Sequence, residues 1–193
     1  KFVHDQRLTG KRDISVQTSN GRIMLKMRDD HAVEVDMGEP VLQPDQVPFE
    51  ATTQAPSYSL EQDGHNYTLG VVSMGNPHAV LVVDDVASAP VFELGSKLEQ
   101  HPRFPNKANI GFMQIIDRNT IKLRVFERGV GETKACGTGA CAAVVVGQQQ
   151  GLLDTNVTTQ LTGGNLAIQW QGPGHHLFMD GPATQVYEGQ IKL

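Results

Sequence analysis

A run of seven apolar residues, from Ala140 to Val146, constrains this chain more than any other feature. The run lies within a predicted helix over 138–150, which ends at Gly151, a suitable residue just past a helix C-terminus. A helix that is apolar on every face is buried all round and does not lie on a surface. We therefore predict a central helix enclosed by the rest of the chain.

The rest of the chain predicts strands. Residues 22–27 and 33–37 alternate between apolar and polar side chains around Asp29-Asp30, which indicates a hairpin with one buried face. Residues 90–100 have apolar residues at helical spacing, and 39–64, rich in Pro, Gln, Ser and Asp, predicts a long loop that links domains or lies over a site. The other strand candidates are 13–18, 67–73, 79–83, 109–116, 120–127, 157–161, 165–170, 176–179 and 185–193. The fold class is α+β, with mostly antiparallel strands around one apolar helix.

Composition excludes several classes of partner. The net charge is −5 and Lys and Arg form no cluster, which argues against nucleic acid. The longest apolar run is far shorter than the roughly 20 residues that span a bilayer, so no membrane partner is expected. Two cysteines in 193 residues are too few for a disulfide scaffold, which favours the cytoplasm.

The stretch ACGTGAC, residues 135–141, holds both cysteines around a glycine turn. Cys136 would lie at the N-terminus of the central helix, where free N–H groups and the helix dipole favour a thiolate and can bind a carboxylate or phosphate. Gly137 lets a ligand approach the backbone, and Thr138 can cap the helix. Cys141 is predicted to be a small buried residue inside the helix. The spacing disfavours a metal site, a dinucleotide fingerprint and a disulfide, and leaves open a glycine turn with an inert cysteine.

Other polar residues lie near predicted strand ends. Asn76 and His78 occupy a turn, Asn109 begins a strand, and Glu127-Arg128 ends one shortly before the cysteine turn. Each also has a structural explanation, as a turn residue or a surface ion pair.

Taken together, five motifs resemble the diaminopimelate epimerase family, in its order and spacing and over the whole chain. They are Met74-Gly75-Asn76-Pro77-His78, Asn109-Ile110-Gly111-Phe112-Met113, Arg124-Val125-Phe126-Glu127-Arg128-Gly129, Gly131-Glu132-Thr133 and Ala135-Cys136-Gly137-Thr138-Gly139-Ala140-Cys141. The resemblance implies two pseudo-symmetric domains, each with strands around a central helix. It also implies conversion of LL- to meso-2,6-diaminopimelate in lysine and peptidoglycan biosynthesis. In the family, two cysteines on opposite faces of the α-carbon move the proton, without pyridoxal phosphate or metal.

The resemblance also implies roles for particular residues. Cys136 matches a catalytic cysteine, and His78 and Glu127 match positions that tune thiol pKa values. Tyr187 matches a residue associated with a homodimer interface. The expected substrate-binding residues are Asn76, Asn109, Glu127, Arg128, Gly137 and Thr138. No metal site and no cofactor are expected, and the implied partner is the small molecule diaminopimelate.

One family motif is missing. The first catalytic cysteine of the family lies in Gly-Asn-Gly-Ala-Arg-Cys, which this sequence lacks, and we expect the 193 residues to begin just after it. Residues 1–36 are then a remnant of the first domain, 37–182 the second domain, and 183–193 a strand returning to the first domain. On this interpretation the chain alone is inactive. The alternatives are a catalytically silent fragment or binding module, and a racemase or isomerase of the same fold that acts on another amino acid.

Overall fold

The computed structural model describes residues 1–18, 21–30 and 32–191. Within these residues lie three helices: α1 (Phe2–Asp5), α2 (Val91–Glu99) and α3 (Gly137–Gln149). The strands are β1 (Asp13–Thr18), β2 (Gly21–Met27), β3 (Val33–Asp36), β4 (Tyr58–Gln62), β5 (His65–Ser73), β6 (Pro77–Val82), β7 (Asn109–Asp117), β8 (Thr120–Glu127), β9 (Gly131–Thr133), β10 (Asn156–Leu161), β11 (Gly164–Trp170) and β12 (Leu177–Gly181).

The strands form one mixed sheet in the order β1-β2-β3-β12-β11-β10-β8-β7-β6-β5-β4, with β9 paired to β8. Most neighbours are antiparallel, whereas β6 pairs with β7 and β10 pairs with β8 in parallel. This confirms the α+β class and the predicted hairpin of β2 and β3.

Helix α3 is enclosed as predicted, since every residue from Gly139 to Gly147 is buried. Its apolar run packs in a core with strand side chains that include Met113, Ile168 and Trp170. The sheet approaches α3 so closely at Gly70 that a Cβ there would lie 2.4 Å from Val146 Cγ1. A glycine is therefore required where β5 meets the helix.

A second core lies on the other face of the same strands. Along β7, Met113 packs in the core around α3, whereas Ile110 and Phe112 pack in a core with α2. Successive residues of a strand point to opposite faces, so the central strands are covered on both sides. Helix α2 packs tightly there, because a Cβ at Gly95 would lie 2.7 Å from Phe126 Cβ.

Three predictions about elements need correction. The predicted loop 39–64 contains strand β4, whose Leu60 is buried and which pairs with β5. The two strands turn at Asp63 and Gly64, both with positive φ. An Asp-Gly pair is a hairpin signal that sequence reasoning overlooked. Helix α3 begins and ends one residue earlier than predicted, so Cys136 and not Thr138 is the N-cap residue.

The predicted C-terminal strand over 183–193 is also wrong for the residues described there, 183–191, which have no regular secondary structure. Its apolar side chains lie in solvent: Val186, Tyr187 and Ile191 are each more than four-fifths exposed. A strand needs a hydrogen-bonding partner, and no strand is paired with this segment within the described ranges. The division into domains at 36/37 and 182/183 stays a prediction.

Candidate functional site

The site residues meet because of strand direction. Strands β6 and β7 are parallel, with His78 opposite Asn109, and β8 runs antiparallel to β7. The starts of β6 and β7 therefore lie at the same sheet edge as the end of β8. Asn76, His78, Asn109, Glu127 and Arg128 are brought together at this edge.

Three side chains tie the edge together. His78 Nε2 lies 3.0 Å from Asn76 Oδ1, and because that oxygen only accepts, the ring donates from Nε2. Asn109 donates from Nδ2 to the Pro77 carbonyl at 2.9 Å, and its Oδ1 accepts the Arg128 N–H at 3.0 Å. Asn109 therefore joins the start of β6 to the turn after β8.

His78 is neutral in this setting. Its side chain is buried, and burial together with the nearby Arg128 cation lowers its pKa to about 3. Its hydrogen bond orients Asn76, which is half-buried at the same edge. The groups that shift the Cys136 pKa include Glu127, whereas the predicted influence of His78 on a thiol stays a prediction.

The cysteine turn lies against the end of β8. Cys136 is the N-cap of α3 and is 5% exposed, and its Sγ lies 3.7 Å from Thr138 Oγ1. Gly139 fits beneath it, since a Cβ there would lie 3.0 Å from Val125 Cγ2 and 3.2 Å from Cys136 Sγ. A Cβ on Gly137 would meet Met179 of β12 at 3.3 Å.

Electrostatics correct the expectation of a thiolate at Cys136. Burial raises the pKa of this thiol to about 11, against smaller lowering effects of the Thr138 hydroxyl and the Gly139 N–H. The Glu127 carboxylate raises it further. Desolvation outweighs the helix end, so Cys136 is protonated at neutral pH.

Cys141 behaves as predicted for a residue of the helix interior. It has no exposed surface, and burial raises the pKa of its thiol even further than that of Cys136. Only Cys136 of the two lies at the helix end, beside Glu127.

Several contacts at the site were not predicted from the sequence. The Thr133 hydroxyl donates to Glu127 Oε1, and Glu99 accepts the Gly129 N–H at 2.9 Å. Arg128 donates from Nη1 to the Asn106 carbonyl at 2.9 Å. The Thr133–Glu127 contact forms because β9 pairs with β8. The Gly129–Glu99 contact joins residues about 30 positions apart in the chain. No local sequence pattern indicates either contact.

Tyr187 lies apart from this edge, in the C-terminal segment that lines a cavity of about 200 Å³ with Lys1 and Phe2. A larger cavity of about 510 Å³ lies between Lys1, Asp30 and Asp180 and is lined by none of the predicted site residues. Across 1–18, 21–30 and 32–191, His, Cys, Asp and Glu form no group of three that could hold a metal ion. In the same part of the chain no helix is long and apolar enough to cross a membrane.

Solved structures define the fold. A probable proline racemase from Agrobacterium radiobacter superposes with a TM-score of 0.70 at 15% identity, covering 96% of this chain and 62% of that one. A predicted epimerase from Pseudomonas aeruginosa gives a TM-score of 0.59 at 17% identity, covering 94% and 67%. At this identity the likeness establishes a fold shared with racemases and epimerases.

Sequence comparison is more specific. A model of diaminopimelate epimerase matches residues 70–186. Diaminopimelate epimerases of Pseudomonas syringae pv. tomato, Stutzerimonas stutzeri and Pseudomonas fluorescens are each 55% identical over all 193 residues. The chain spans about 70% of the length of each of these relatives. It belongs to the diaminopimelate epimerase family, a family of isomerases.

Proposed function

We propose that this chain carries one catalytic side of an enzyme that converts LL-2,6-diaminopimelate to the meso isomer, using Cys136 and no cofactor. The observation that carries the proposal is the thiol of Cys136 at the N-terminus of α3, beside Glu127. The 55% identical diaminopimelate epimerases support the substrate.

The reacting end of the substrate fits the helix terminus. The N–H groups of Gly137 and Thr138 lie in the first turn of α3, where no carbonyl of the helix can accept them. Such N–H groups and the positive dipole end bind a carboxylate and stabilise the negative charge that grows there as the α-proton leaves. The Glu127 carboxylate binds the substrate ammonium group next to the substrate carboxylate.

The distal end fits Arg128. Its guanidinium is exposed and donates to one backbone carbonyl. Among the residues described, no carboxylate forms an ion pair with it. An unpaired guanidinium favours a second carboxylate on the substrate, which diaminopimelate has and a simple amino acid lacks. The Asn76 side chain, at the same sheet edge, can donate from its amide nitrogen to the same end of the substrate.

The raised pKa of Cys136 supports a role as the proton donor. A protonated thiol gives its proton: the Sγ–H bond breaks, a C–H bond forms at the α-carbon, and a thiolate remains. The substrate ammonium, on reaching Glu127, offsets the carboxylate charge that raises the Cys136 pKa. Binding therefore makes the thiol more acidic when the proton is needed.

Inversion needs a second group on the opposite face, and Cys141 cannot supply it from inside α3. The 193 residues contain no other cysteine. The chain by itself is therefore expected to be inactive, and a base from outside these residues completes the reaction. Proton NMR of LL-diaminopimelate in D₂O with the chain should show no α-deuteration beyond that of Cys136→Ala. Turnover at the rate of an intact epimerase would contradict this.

The substrate class has its own test. Titration of the ¹⁵N-labelled chain with LL-diaminopimelate should shift the Gly137 and Thr138 amides and the Arg128 side chain, whereas L-proline should leave Arg128 unmoved. Equal shifts with both ligands would favour a racemase of another amino acid. No shift with either would favour a silent module.

Two further parts of the proposal concern assembly and location. Tyr187 is 84% exposed, which suits a residue that a second copy covers in a homodimer. Sedimentation of Tyr187→Ala against the unaltered chain tests this, with a monomer expected for the variant. Both cysteines are free, as thiols are in the reducing cytoplasm where we place the enzyme.

A further inference from the structure

Glu99 is a buried carboxylate that the chemistry above does not use. It is the last residue of α2, and its side chain is 7% exposed. Burial of a carboxylate is costly unless hydrogen bonds or charges compensate for it. The partners of Glu99 therefore indicate what the residue does.

The side chain reaches the turn that carries Arg128. Glu99 Oε1 accepts the N–H of Gly129 at 2.9 Å, and Lys107 Nζ lies 3.6 Å from the same oxygen. Gly129 has a φ of +74°, so this turn has a backbone conformation that needs a glycine. A charge-assisted hydrogen bond from a buried carboxylate fixes such a turn more firmly than a neutral one.

The main chain of Glu99 holds the segment that contacts the arginine. Its carbonyl accepts the Ala108 N–H at 3.2 Å, beside Asn109. Asn109 Oδ1 accepts the Arg128 N–H. The Asn106 carbonyl accepts Arg128 Nη1. Glu99 thus links the turn that carries Arg128 to the segment 106–109 that contacts it, without pairing with the guanidinium itself.

We infer that Glu99 is a positioning residue for Arg128, holding the guanidinium ordered and unpaired so that it can receive the distal carboxylate. The inference deepens the proposed function, on which it rests for the identity of that carboxylate. The ordering of Arg128 by Glu99 can be measured without any ligand.

The test compares three substitutions by reach and charge. Glu99→Gln keeps an oxygen within reach of the Gly129 N–H but loses the negative charge. Glu99→Asp keeps the charge, but its side chain is one methylene shorter and moves the carboxylate away from Gly129. Glu99→Ala removes both. Glu93→Ala is the matched control, because Glu93 lies on the same helix with its side chain 78% exposed.

The readouts are amide hydrogen exchange at Arg128 and Gly129 and ¹⁵N relaxation of Arg128 Nε. Loss of the hydrogen bond should speed exchange at Gly129 by about tenfold in Glu99→Asp and Glu99→Ala, and should mobilise Nε. Glu99→Gln should lie between the unaltered chain and Glu99→Asp, because its neutral amide oxygen can still accept the Gly129 N–H but makes a weaker bond than the carboxylate. Glu93→Ala should stay near the unaltered chain, as should the amides of α3 in every variant. If Glu99→Ala does not fold, the contrast between Asp and Gln still decides.

An Arg128 that is equally ordered in Glu99→Asp overturns the inference. So does a Glu99→Gln variant as mobile as Glu99→Asp, since the charge pair with Lys107 would then be what matters. Titration with LL-diaminopimelate separates the two proposals. If it leaves Arg128 of the unaltered chain unshifted, the distal-carboxylate proposal fails, whatever the exchange data show for Glu99.

Discussion

Removing the charge of Glu127 should make Cys136 more reactive. Glu127→Gln deletes the carboxylate that raises the Cys136 pKa, while the amide oxygen can still accept the Thr133 hydroxyl. The side chain therefore keeps its orientation, and the substitution isolates the effect of the charge. The pKa of Cys136 should fall from about 11 but stay above the ordinary 9.0, because burial, the largest cause, is unchanged.

The two pKa values, about 11 and 9.0, limit how much the alkylation rate of Cys136 can change. With a pKa of about 11, about one thiol in a thousand is ionised at pH 8, and with 9.0 about one in ten. A thiolate of lower pKa is intrinsically less nucleophilic, which removes about half of the gain on a logarithmic scale. Alkylation at pH 8 should therefore accelerate, by no more than about tenfold.

The assay is iodoacetamide alkylation of Cys136 followed by mass spectrometry across a pH series. Cys141 serves as an internal reference, and it should label far more slowly because it has no exposed surface. Glu132→Gln is the matched control, since its carboxylate pairs with Arg124 and should leave the Cys136 rate unchanged. A slower rate in Glu127→Gln, or a profile of the unaltered chain with a midpoint below pH 9, would show that burial and Glu127 do not govern this thiol.

Two other predictions concern stability. Gly70→Ala should destabilise the fold by about 1–3 kcal/mol, because its Cβ would lie 2.4 Å from Val146 Cγ1. Gly10→Ala, where a Cβ meets nothing within 4 Å, should change the urea midpoint little, and equal effects would contradict the packing described. His78 binds a proton in the unfolded chain near pH 6.5 but in the folded chain only near 3, so stability should fall as pH drops below about 6.5. His78 should contribute up to about 1.4 kcal/mol per pH unit to the slope of the unfolding free energy against pH. The slope should therefore be smaller in His78→Gln, and an unchanged slope in that variant would contradict the assignment.

Much of the fold follows from local patterns. The apolar run of α3 predicts its burial, and strands such as β1 and β8 have the predicted ends. Strand β4 was missed because the polar residues of 39–64 obscured its alternation, although Asp63-Gly64 marked the turn. The 183–193 segment has strand-like composition, but nothing in the sequence shows whether a partner edge lies beside it.

Part of the site also follows from the sequence, and part does not. Motifs predict Cys136, Glu127 and Arg128, and strand direction brings the last two to one edge with Asn109. The protonation of Cys136 did not follow from its position at a helix end, because desolvation depends on packing across the whole fold. The role inferred for Glu99 depends on contacts between α2 and the turn after β8, which only the three-dimensional structure shows.

Protection of Cys136 by the substrate tests most directly whether this edge binds diaminopimelate. LL-diaminopimelate should slow alkylation of Cys136 in the unaltered chain, because bound substrate covers Sγ and this shielding outweighs the lowered pKa of the thiol. The protection should weaken in Arg128→Ala, while L-proline should give little protection. The same rate with and without saturating LL-diaminopimelate, or equal protection by L-proline, would contradict a diaminopimelate site at Cys136 and Arg128.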